Sequence, residues 1–195
     1  MMVSAAHPLA VEAGLDMLRQ GGHAVDAAIA VQMVLGLIES PETGIGGGGF
    51  LLLHQADHHH PVVYDGRETA PATATPDRFQ WRGRSLPLAA AIPSGASIGV
   101  PGLVSMLAMA HQEHGRLPWA RVLAPAIALA EQGLPMPARL QKQIESDISL
   151  RLFSDTRRYY RQQAAAEPAK LHNPELAETL RQLAEQGPEA FYQGP

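Results

Sequence analysis

The sequence predicts an α+β fold that is rich in helices and contains one short antiparallel hairpin. Several segments have apolar residues at helical spacing and begin with proline, which suits the first position of a helix. Two short apolar runs, Phe50 to His54 and Pro61 to Asp65, are separated by the polar residues QADHHH, a pattern typical of two strands and their loop. These two patterns carry the fold-class prediction.

The first two predicted helices differ in how much of their surface is apolar. Helix one covers Pro8 to Gln20 and ends at Gly21, with apolar residues on one face. Helix two runs from Val25 to Leu37, carries Asp26 in its first turn and is apolar nearly all round. A helix of that kind must be covered on most sides, and we expect it to need more cover than 195 residues supply.

The rest of the chain predicts a long irregular segment followed by more helices. From Thr69 to Gly99 the sequence is rich in Pro, Ala, Ser and Thr, and we expect irregular structure with one more short strand. No repeat or linker divides the chain, so residues 1–195 are predicted to form a single domain. Four further helices are predicted, namely Gly102 to His114, Trp119 to Gln132, Pro137 to Ile148 and Pro174 to Gln186.

Composition excludes several classes of protein. Hydrophobic residues make up 46% and charged residues 17% of the chain, a balance typical of a folded domain rather than a disordered one. The formal net charge is −4 with no basic block, which argues against a nucleic-acid partner. There are no cysteines, so disulfides, thiolate chemistry and cysteine-based zinc sites are excluded.

Neither a membrane span nor an export signal is visible in the sequence. The most apolar stretch, Ala27 to Ile38, is far shorter than the ~20 residues that cross a bilayer. The first residues, MMVSAAHPLAVEAG, lack the basic and apolar regions of a signal peptide. The sequence therefore leaves the localisation of the protein open.

The segment TGIGGGGFLLL raises the question of a phosphate-binding loop. Such a loop places its glycines between a strand and a helix, so that backbone N–H groups point at the anion. Here the glycines follow a helix and lead into a strand, and the G-x-G-x-x-G match at Gly44, Gly46 and Gly49 lacks the βαβ context. We therefore favour glycines that let neighbouring backbones or a ligand come close, and not a nucleotide site.

Arg67 is a candidate ligand-binding residue because it stands alone at the end of a predicted strand. Its guanidinium is a planar fork suited to a carboxylate. The structural alternative is an ion pair with Asp65, with Glu68 or with a distant acid. The residues by themselves favour that alternative.

Five segments, in this order along the chain, resemble the gamma-glutamyltransferase (gamma-glutamyltranspeptidase) family. They cover nearly the whole chain, and jointly they are specific although each alone is weak. His23 is a small departure, because the family commonly has Asn at this position of GGNAVDAA. The matching segments are HPLAVEAGLDMLRQGGHAVDAAIAVQMVLGLIESPETGIGGGGF (7–50), DGRETAP (65–71), VPGLVSMLAMAHQEHGRLPW (100–119), LAPAIALAEQGLPM (123–136) and NPELAETLRQLAEQGPEAFYQGP (173–195).

The resemblance implies an N-terminal nucleophile hydrolase with a four-layer α-β-β-α sandwich. In this family a precursor cleaves itself into a large and a small subunit, and the new N-terminal Thr attacks the γ-glutamyl amide of glutathione or a related donor. The α-amine of that Thr acts as the base, and backbone donors stabilise the oxyanion. The acyl group passes to water or to the amine of an amino acid or peptide, and no cofactor is implied.

The resemblance also implies a role for Arg67. In the family the arginine of the DGRETAP-type motif binds the α-carboxylate of the glutamyl group, so the functional interpretation now outweighs the ion pair. Asp65 and Glu68 are interpreted as supporting neighbours that orient Arg67. The resemblance implies no catalytic residue within this chain.

The chain resembles only the N-terminal part of the large subunit. The resemblance implies that the self-cleavage site, the nucleophilic Thr and most of the donor pocket lie beyond residue 195, and no internal threonine fits the family's motif. We therefore expect an incomplete sandwich that is inactive alone and self-associates through exposed apolar surface. Its partners would be the remainder of the large subunit and the Thr-initiated small subunit. The chain is then a fragment of an ordinary enzyme or pairs with a separately encoded remainder.

Three other interpretations stay open. A cephalosporin acylase-like relative would act on a different acyl group, and a non-catalytic binding or interaction domain would suit the absent nucleophile. The third is a metal site, built from the loop histidines His58, His59 and His60 or from His111 with His114. Adjacent loop histidines point in different directions, and two helical histidines without an acidic partner supply only two ligands. The sequence therefore favours no metal.

Overall fold

The computed structural model describes residues 1–57, 59–147, 150 and 153–193. Three pairs of short antiparallel strands lie between helices. Across these residues, no helix combines the length and the apolar character needed to cross a membrane. In chain order the elements are α1 (Pro8–Arg19), α2 (Ala24–Ile38), β1 (Gly49–Leu53), β2 (Val62–Gly66), β3 (Gln80–Trp81), β4 (Arg84–Ser85), α3 (Leu88–Ala91), a 3₁₀ turn (Gly95–Ser97), α4 (Leu103–His114), α5 (Trp119–Gln132), β5 (Leu134–Pro135), α6 (Ala138–Ser146), α7 (Ser154–Thr156), a π turn (Arg157–Arg161), α8 (Gln162–Ala164), β6 (Lys170–Leu171), α9 (Pro174–Gln186) and α10 (Glu189–Tyr192).

Helix α2 lies at the centre of the core. It packs against α1, α4 and α5, and nine of its fifteen residues are buried. Val31 and Leu35 are half-buried and pack against the same core. The prediction of a central apolar helix is confirmed. The prediction that this helix needs cover from outside the chain is wrong, because α1, α4 and α5 already cover most of its surface.

Strands β1 and β2 form the predicted antiparallel hairpin. They pair in register from Gly49 opposite Gly66 to Leu53 opposite Val62. Both strands are displaced by one residue from their predicted limits, β1 toward the N-terminus and β2 toward the C-terminus. Gly49 and Gly66 therefore form the last pair of the hairpin. The prediction left them out because it was based on apolar residues.

The two faces of this hairpin differ in exposure. Leu53 and Tyr64 are buried, whereas Phe50, Leu52 and Val63 are 64%, 69% and 60% exposed. Side chains alternate between the two faces along a strand, so these three exposed residues share one face. We call Phe50, Leu52 and Val63 the open hairpin face. In the part of the chain that the structure describes, no further strand pairs with β1 or β2.

The segment between β2 and α4 is more regular than the sequence predicts. Instead of one short strand it contains the β3–β4 hairpin, helix α3 and a 3₁₀ turn. An isolated bridge between Thr69 and Val100 ties the two ends of the segment together. Strands of two residues show too little alternation to be recognised in a sequence, which is why the prediction missed them.

The C-terminal third adds a pairing that the sequence did not predict. Strand β5 pairs with β6, with Leu134 opposite Leu171, and helical turns occupy residues 154–164. Helix α5 is joined to α9 by the Trp119 indole, whose Nε1 donates to Leu183 O at 3.0 Å. The helix predicted from Pro137 corresponds to α6, and its predicted last residue, Ile148, lies outside the described residues.

Helix α2 begins with a histidine cap. His23 Nδ1 accepts from Val25 N at 3.3 Å, and Asp26 Oδ2 accepts from His23 N at 2.6 Å, the reciprocal arrangement of a capping box. Asp26 is fully buried, and the same Oδ2 also accepts from Arg116 N at 3.0 Å. An asparagine side chain caps helices at least as well, so the change from Asn to His leaves the start of α2 intact.

Replacing His23 by asparagine is expected to flatten the pH dependence of stability. Burial, followed by the positive charges of Arg116 and His114, lowers the pKa of His23 below its ordinary 6.5. The unfolded chain therefore binds the proton more readily than the folded one, and the free energy of unfolding falls as the pH drops below 6.5. His23→Asn removes the titratable imidazole, and the asparagine side chain can still cap the start of α2.

Denaturant melts between about pH 8 and pH 5 check this prediction, because the window brackets the ordinary histidine pKa. We expect equal stability of the two proteins at the alkaline end and a smaller loss for His23→Asn at the acid end. Equal slopes in both proteins would show that His23 does not contribute to the acid sensitivity.

Candidate functional site

The glycine run, residues 44–49, caps helix α4 with a backbone carbonyl. Gly47 O accepts from both Gly102 N and Leu103 N at 3.2 Å. These are N–H groups of the kind that would otherwise point at an anion in a phosphate loop. A carbonyl of the same chain therefore occupies these two N–H groups at the start of α4.

Three glycines bring three backbone segments into direct contact. A Cβ atom on Gly48 would lie 2.5 Å from Gly66 O, and one on Gly102 would lie 2.4 Å from the same oxygen. A Cβ atom on Gly66 would lie 2.6 Å from Met106 Cβ. The prediction that the glycines allow close backbone approach is confirmed. The crossing joins the glycine run, the end of β2 and the start of α4.

Arg67 projects from this crossing, directly after β2. Its backbone N donates to Asp65 Oδ1 at 2.9 Å, so Asp65 fixes the turn rather than the guanidinium. Arg67 Nε lies 3.4 Å from Glu68 Oε2, with the two side chains 73% and 37% exposed. The ion pair considered in the sequence is therefore present with Glu68. An exposed pair of this kind contributes about 0–1 kcal/mol, so the guanidinium remains able to bind another carboxylate.

Arg67 and Glu68 line a cavity of about 530 Å³. The cavity lies where the glycine run, the segment after β2 and the residues preceding α4 meet. Its volume is that of an ordinary small-molecule site. The lining residues are Gly46, Arg67, Glu68, Thr69, Ala70, Pro71, Ala74, Arg78, Phe79, Ala96, Ser97, Ile98 and Gly99.

The cavity combines positive charge with apolar surface. Arg67 and Arg78 contribute two guanidinium groups and Glu68 one carboxylate, so the lining carries a net charge of +1. Phe79 and Ile98 are 43% and 66% exposed and supply apolar area. Such a lining suits a small anion with an aliphatic body. Thr69 also lines the cavity, but its amide N bonds to Val100 O, so it has no free α-amine to act as a base.

The helical histidines His111 and His114 contact other residues of the chain. His111 Nε2 bonds to Leu117 O at 2.9 Å and lies 3.5 Å from the Oδ1 of the buried Asp26. His114 Nε2 lies 2.7 Å from the Tyr64 hydroxyl. The expectation that these histidines lack acidic partners is wrong, because folding brings Asp26 beside one of them and Glu113 lies 3.7 Å from the other.

The hydroxyl of Tyr64 anchors the hairpin to the end of α4. It donates to Glu113 Oε2 at 2.5 Å. Burial and this hydrogen bond raise the pKa of Tyr64 to about 12, so it remains a neutral donor. Among the described residues no three His, Asp or Glu side chains are grouped to hold a metal ion. His59 and His60 are exposed in the hairpin loop, and His58 lies outside the described residues.

Comparison with known families identifies the family of this chain. The family model described as Gamma-glutamyltranspeptidase matches residues 10–195. The chain belongs to the gamma-glutamyltranspeptidase family. The resemblance carried by the five sequence segments is thereby confirmed.

Individual gamma-glutamyltranspeptidase relatives cover the whole chain. The glutathione hydrolase proenzyme of Bacillus subtilis (strain 168) is 38% identical over 198 residues, which include 99% of this chain and 33% of that protein. The gamma-glutamyltranspeptidase of Pseudomonas nitroreducens, solved in complex with L-DON, matches with a TM-score of 0.89 at 32% identity, over 100% of this chain and 57% of the other. The chain therefore spans about a third of the length of its curated relative.

A solved acylase is also similar. The cephalosporin acylase of Bacillus halodurans matches with a TM-score of 0.80 at 32% identity, over 96% of this chain and 36% of the other. The predicted fold class is confirmed: the chain has part of the fold of the N-terminal nucleophile hydrolases of the gamma-glutamyltranspeptidase family, rich in helices and with short antiparallel hairpins.

The sequence analysis did not identify all of the residues that line this cavity. It singled out Arg67, Asp65 and Glu68, of which the structure places Arg67 and Glu68 in the lining and Asp65 behind the turn. It did not single out Arg78, Phe79 or Ile98. These residues lie between β2 and α4, where the sequence has no periodicity that marks which side chains face inward, so no sequence signal could have found them.

Proposed function

We propose that this chain is part of a gamma-glutamyltransferase that cleaves the γ-glutamyl amide of glutathione-like donors and transfers the acyl group to water or to an amine. The observation that carries the proposal is the Arg67 guanidinium. It is 73% exposed, lines a cavity of small-molecule size and contacts Glu68 only at 3.4 Å. The similarity to a glutathione hydrolase proenzyme over 99% of the chain supports the same donor class.

In this proposal Arg67 binds the α-carboxylate of the glutamyl group. A guanidinium and a carboxylate form two parallel, charge-assisted hydrogen bonds, which fix both position and orientation of the donor. Asp65 supports Arg67 by holding its backbone N–H, and Glu68 by facing its Nε. The γ-amide then extends away from Arg67 toward a nucleophile that the chain does not supply.

The nucleophile and the oxyanion donors would come from polypeptide beyond this segment. An N-terminal Thr supplies both a hydroxyl and an α-amine that takes its proton, and neither Thr69 nor another described internal threonine has such an amine. The chain spans about a third of its curated relative. The open hairpin face is apolar and unpaired, which suits further strands of the sandwich. We accordingly propose that residues 1–195 form one domain that other strands complete.

A cephalosporin acylase-like activity is the second candidate, favoured by the acylase of TM-score 0.80. Arg67 would bind a carboxylate in either case. A glutaryl amide is identical to a γ-glutamyl amide except that it lacks the α-amine, so it separates the two. A transferase that requires the amine would leave glutaryl-p-nitroanilide intact, whereas an acylase would cleave it.

The chain by itself is expected to be inactive, and its mixture with the missing part active. The assay measures release of p-nitroaniline from γ-glutamyl-p-nitroanilide in three samples. The first contains this chain alone. The second contains only a polypeptide equivalent to the part of the relatives that this chain does not cover, and the third contains both polypeptides. The physical reason is that the donor-binding arginine and the nucleophile lie on different segments.

Release only in the mixture supports the proposal. Release by the chain alone would contradict the assignment of the nucleophile to another segment. No release from any sample, with tight binding of an unrelated ligand, would favour a non-catalytic binding domain instead. Release from the glutaryl compound only would favour the acylase.

A further inference from the structure

Arg78 holds a turn of the cavity wall through three backbone carbonyls. Its Nε donates to Ala96 O, and one terminal nitrogen lies 3.3 Å from Gly95 O and 3.4 Å from Ile98 O. Arg78 itself stands in a tight turn, where its backbone N bonds to Thr75 O at 3.0 Å. One side chain therefore connects two segments that are seventeen to twenty residues apart.

The turn that Arg78 holds has few other attachments. Ser97 N bonds to Ser94 O at 3.1 Å, and Ser97 Oγ bonds to Ile92 O at 2.7 Å, so these bonds are local. Gly95 is exposed and Ile98 is 66% exposed. A turn with little buried apolar surface and only local hydrogen bonds is marginally ordered by itself. The guanidinium supplies the longer-range attachment.

The turn continues directly into residues that pack beside Arg67. Thr69 and Val100 exchange two backbone hydrogen bonds of 3.2 and 2.8 Å. A Cβ atom on Gly99 would lie 3.0 Å from Glu68 Cβ. A displacement of residues 95–98 would therefore also shift Gly99 and, through this contact, Glu68, whose carboxylate faces Arg67.

The chemistry of this attachment requires arginine. No carboxylate of the described residues lies within 4 Å of the Arg78 guanidinium in an ion pair, and its hydrogen-bond partners are neutral carbonyls. A guanidinium presents its donors in one rigid plane and so reaches several carbonyls at once. A lysine ammonium keeps the charge but is a single point, which cannot serve three carbonyls spread along a turn.

We propose that Arg78 is a positioning residue, which fixes the 95–98 turn so that the cavity keeps the shape in which Arg67 binds the donor. This inference rests on the proposed function for its kinetic consequence, but the attachment of the turn is independent of any activity. The proposal has two parts, and each can be measured separately. Arg78 orders the 95–98 turn, and the ordered turn improves donor binding.

The test uses the variants Arg78→Lys and Arg78→Met. Each variant is combined with the polypeptide equivalent to the part of the relatives that this chain does not cover, as in the activity assay. Hydrogen–deuterium exchange at residues 95–99 reports on the turn, and the kinetics of γ-glutamyl-p-nitroanilide report on the donor site. Arg84→Lys is the matched control, because Arg84 is an exposed arginine on strand β4.

We expect both Arg78 variants to lose exchange protection at residues 95–99 and to raise KM by about 10-fold, with kcat changed by less than about 2-fold. The control should change neither. Full recovery of KM in Arg78→Lys would overturn the proposal, because charge alone would then suffice. Unchanged exchange protection in both variants would also overturn it. So would a large fall in both kcat and melting temperature beside the rise in KM, because that pattern indicates general structural damage.

An inactive wild-type assembly would contradict the proposed function rather than this inference. In that case the exchange experiment still decides the role of Arg78. Lost protection in Arg78→Lys supports the attachment of the turn, and retained protection refutes it.

Discussion

Arg67→Lys is expected to raise the KM for a γ-glutamyl donor by about 10- to 100-fold while changing kcat much less. Lysine keeps the positive charge but loses the planar fork that makes two parallel bonds to a carboxylate. The lost interaction exists in the bound donor before any bond is broken, so the effect belongs mainly to binding. Steady-state kinetics of the assembled enzyme with γ-glutamyl-p-nitroanilide measure both constants.

The stability of Arg67→Lys separates this role from a structural ion pair. The pair with Glu68 is exposed and lysine keeps the charge, so the melting temperature is expected to stay within about 1 °C, which corresponds to about 0.25–0.5 kcal/mol. Arg19→Lys is a suitable control, because Arg19 forms exposed ion pairs with Glu12 and Asp16 on α1. Unchanged donor kinetics in Arg67→Lys, or a marked loss of stability, would remove the assignment of Arg67 to the donor carboxylate.

Gly102→Ala is expected to damage both stability and donor binding. The new Cβ would lie 2.4 Å from Gly66 O, 2.7 Å from Gly66 C and 2.9 Å from Arg67 O. All three are backbone atoms, which cannot rotate away as a flexible side chain does. The φ angle of Gly102 is −108°, an ordinary value for alanine, so the effect is steric and not conformational. We expect a loss of about 2 kcal/mol or more in the free energy of unfolding.

The same substitution should weaken the donor site, because the displaced atoms carry Arg67. Calorimetric melting and the KM of the assembled enzyme measure the two effects. Gly44→Ala is the matched control: no atom lies within 4 Å of its added Cβ, and a change within about 0.5 kcal/mol is expected. Wild-type stability in Gly102→Ala would show that α4 and β2 separate easily at their crossing.

The sequence predicted the features that follow from local pattern. Helix α2 was recognisable because its residues are apolar on nearly every side, and the β1–β2 hairpin because two apolar runs flank a polar loop. The reversed order of helix, glycines and strand was enough to argue against a phosphate loop. Arg67 emerged from its position in a motif of the family.

Features that depend on distant partners could not be predicted in this way. The contact of His111 with Asp26 joins residues that are far apart in the chain, so the sequence showed a histidine without an acid. The hydrogen bonds of Arg78 end on carbonyls, which every residue possesses, and no residue type marks them. The cover of α2 was underestimated because the packing of α1, α4 and α5 on it is a tertiary property.

The close backbone contacts at Gly48, Gly66 and Gly102 also limit how much conformational entropy the main chain could lose when a ligand binds beside them. The main chain on either side of Arg67 packs closely against the start of α4, since a Cβ atom on Gly102 would lie 2.4 Å from Gly66 O and 2.9 Å from Arg67 O. Only the rotatable bonds of one arginine side chain remain to be frozen, and these carry up to about 2 kcal/mol. In the proposed function, donor binding would therefore cost little main-chain entropy, which is how preorganisation favours affinity.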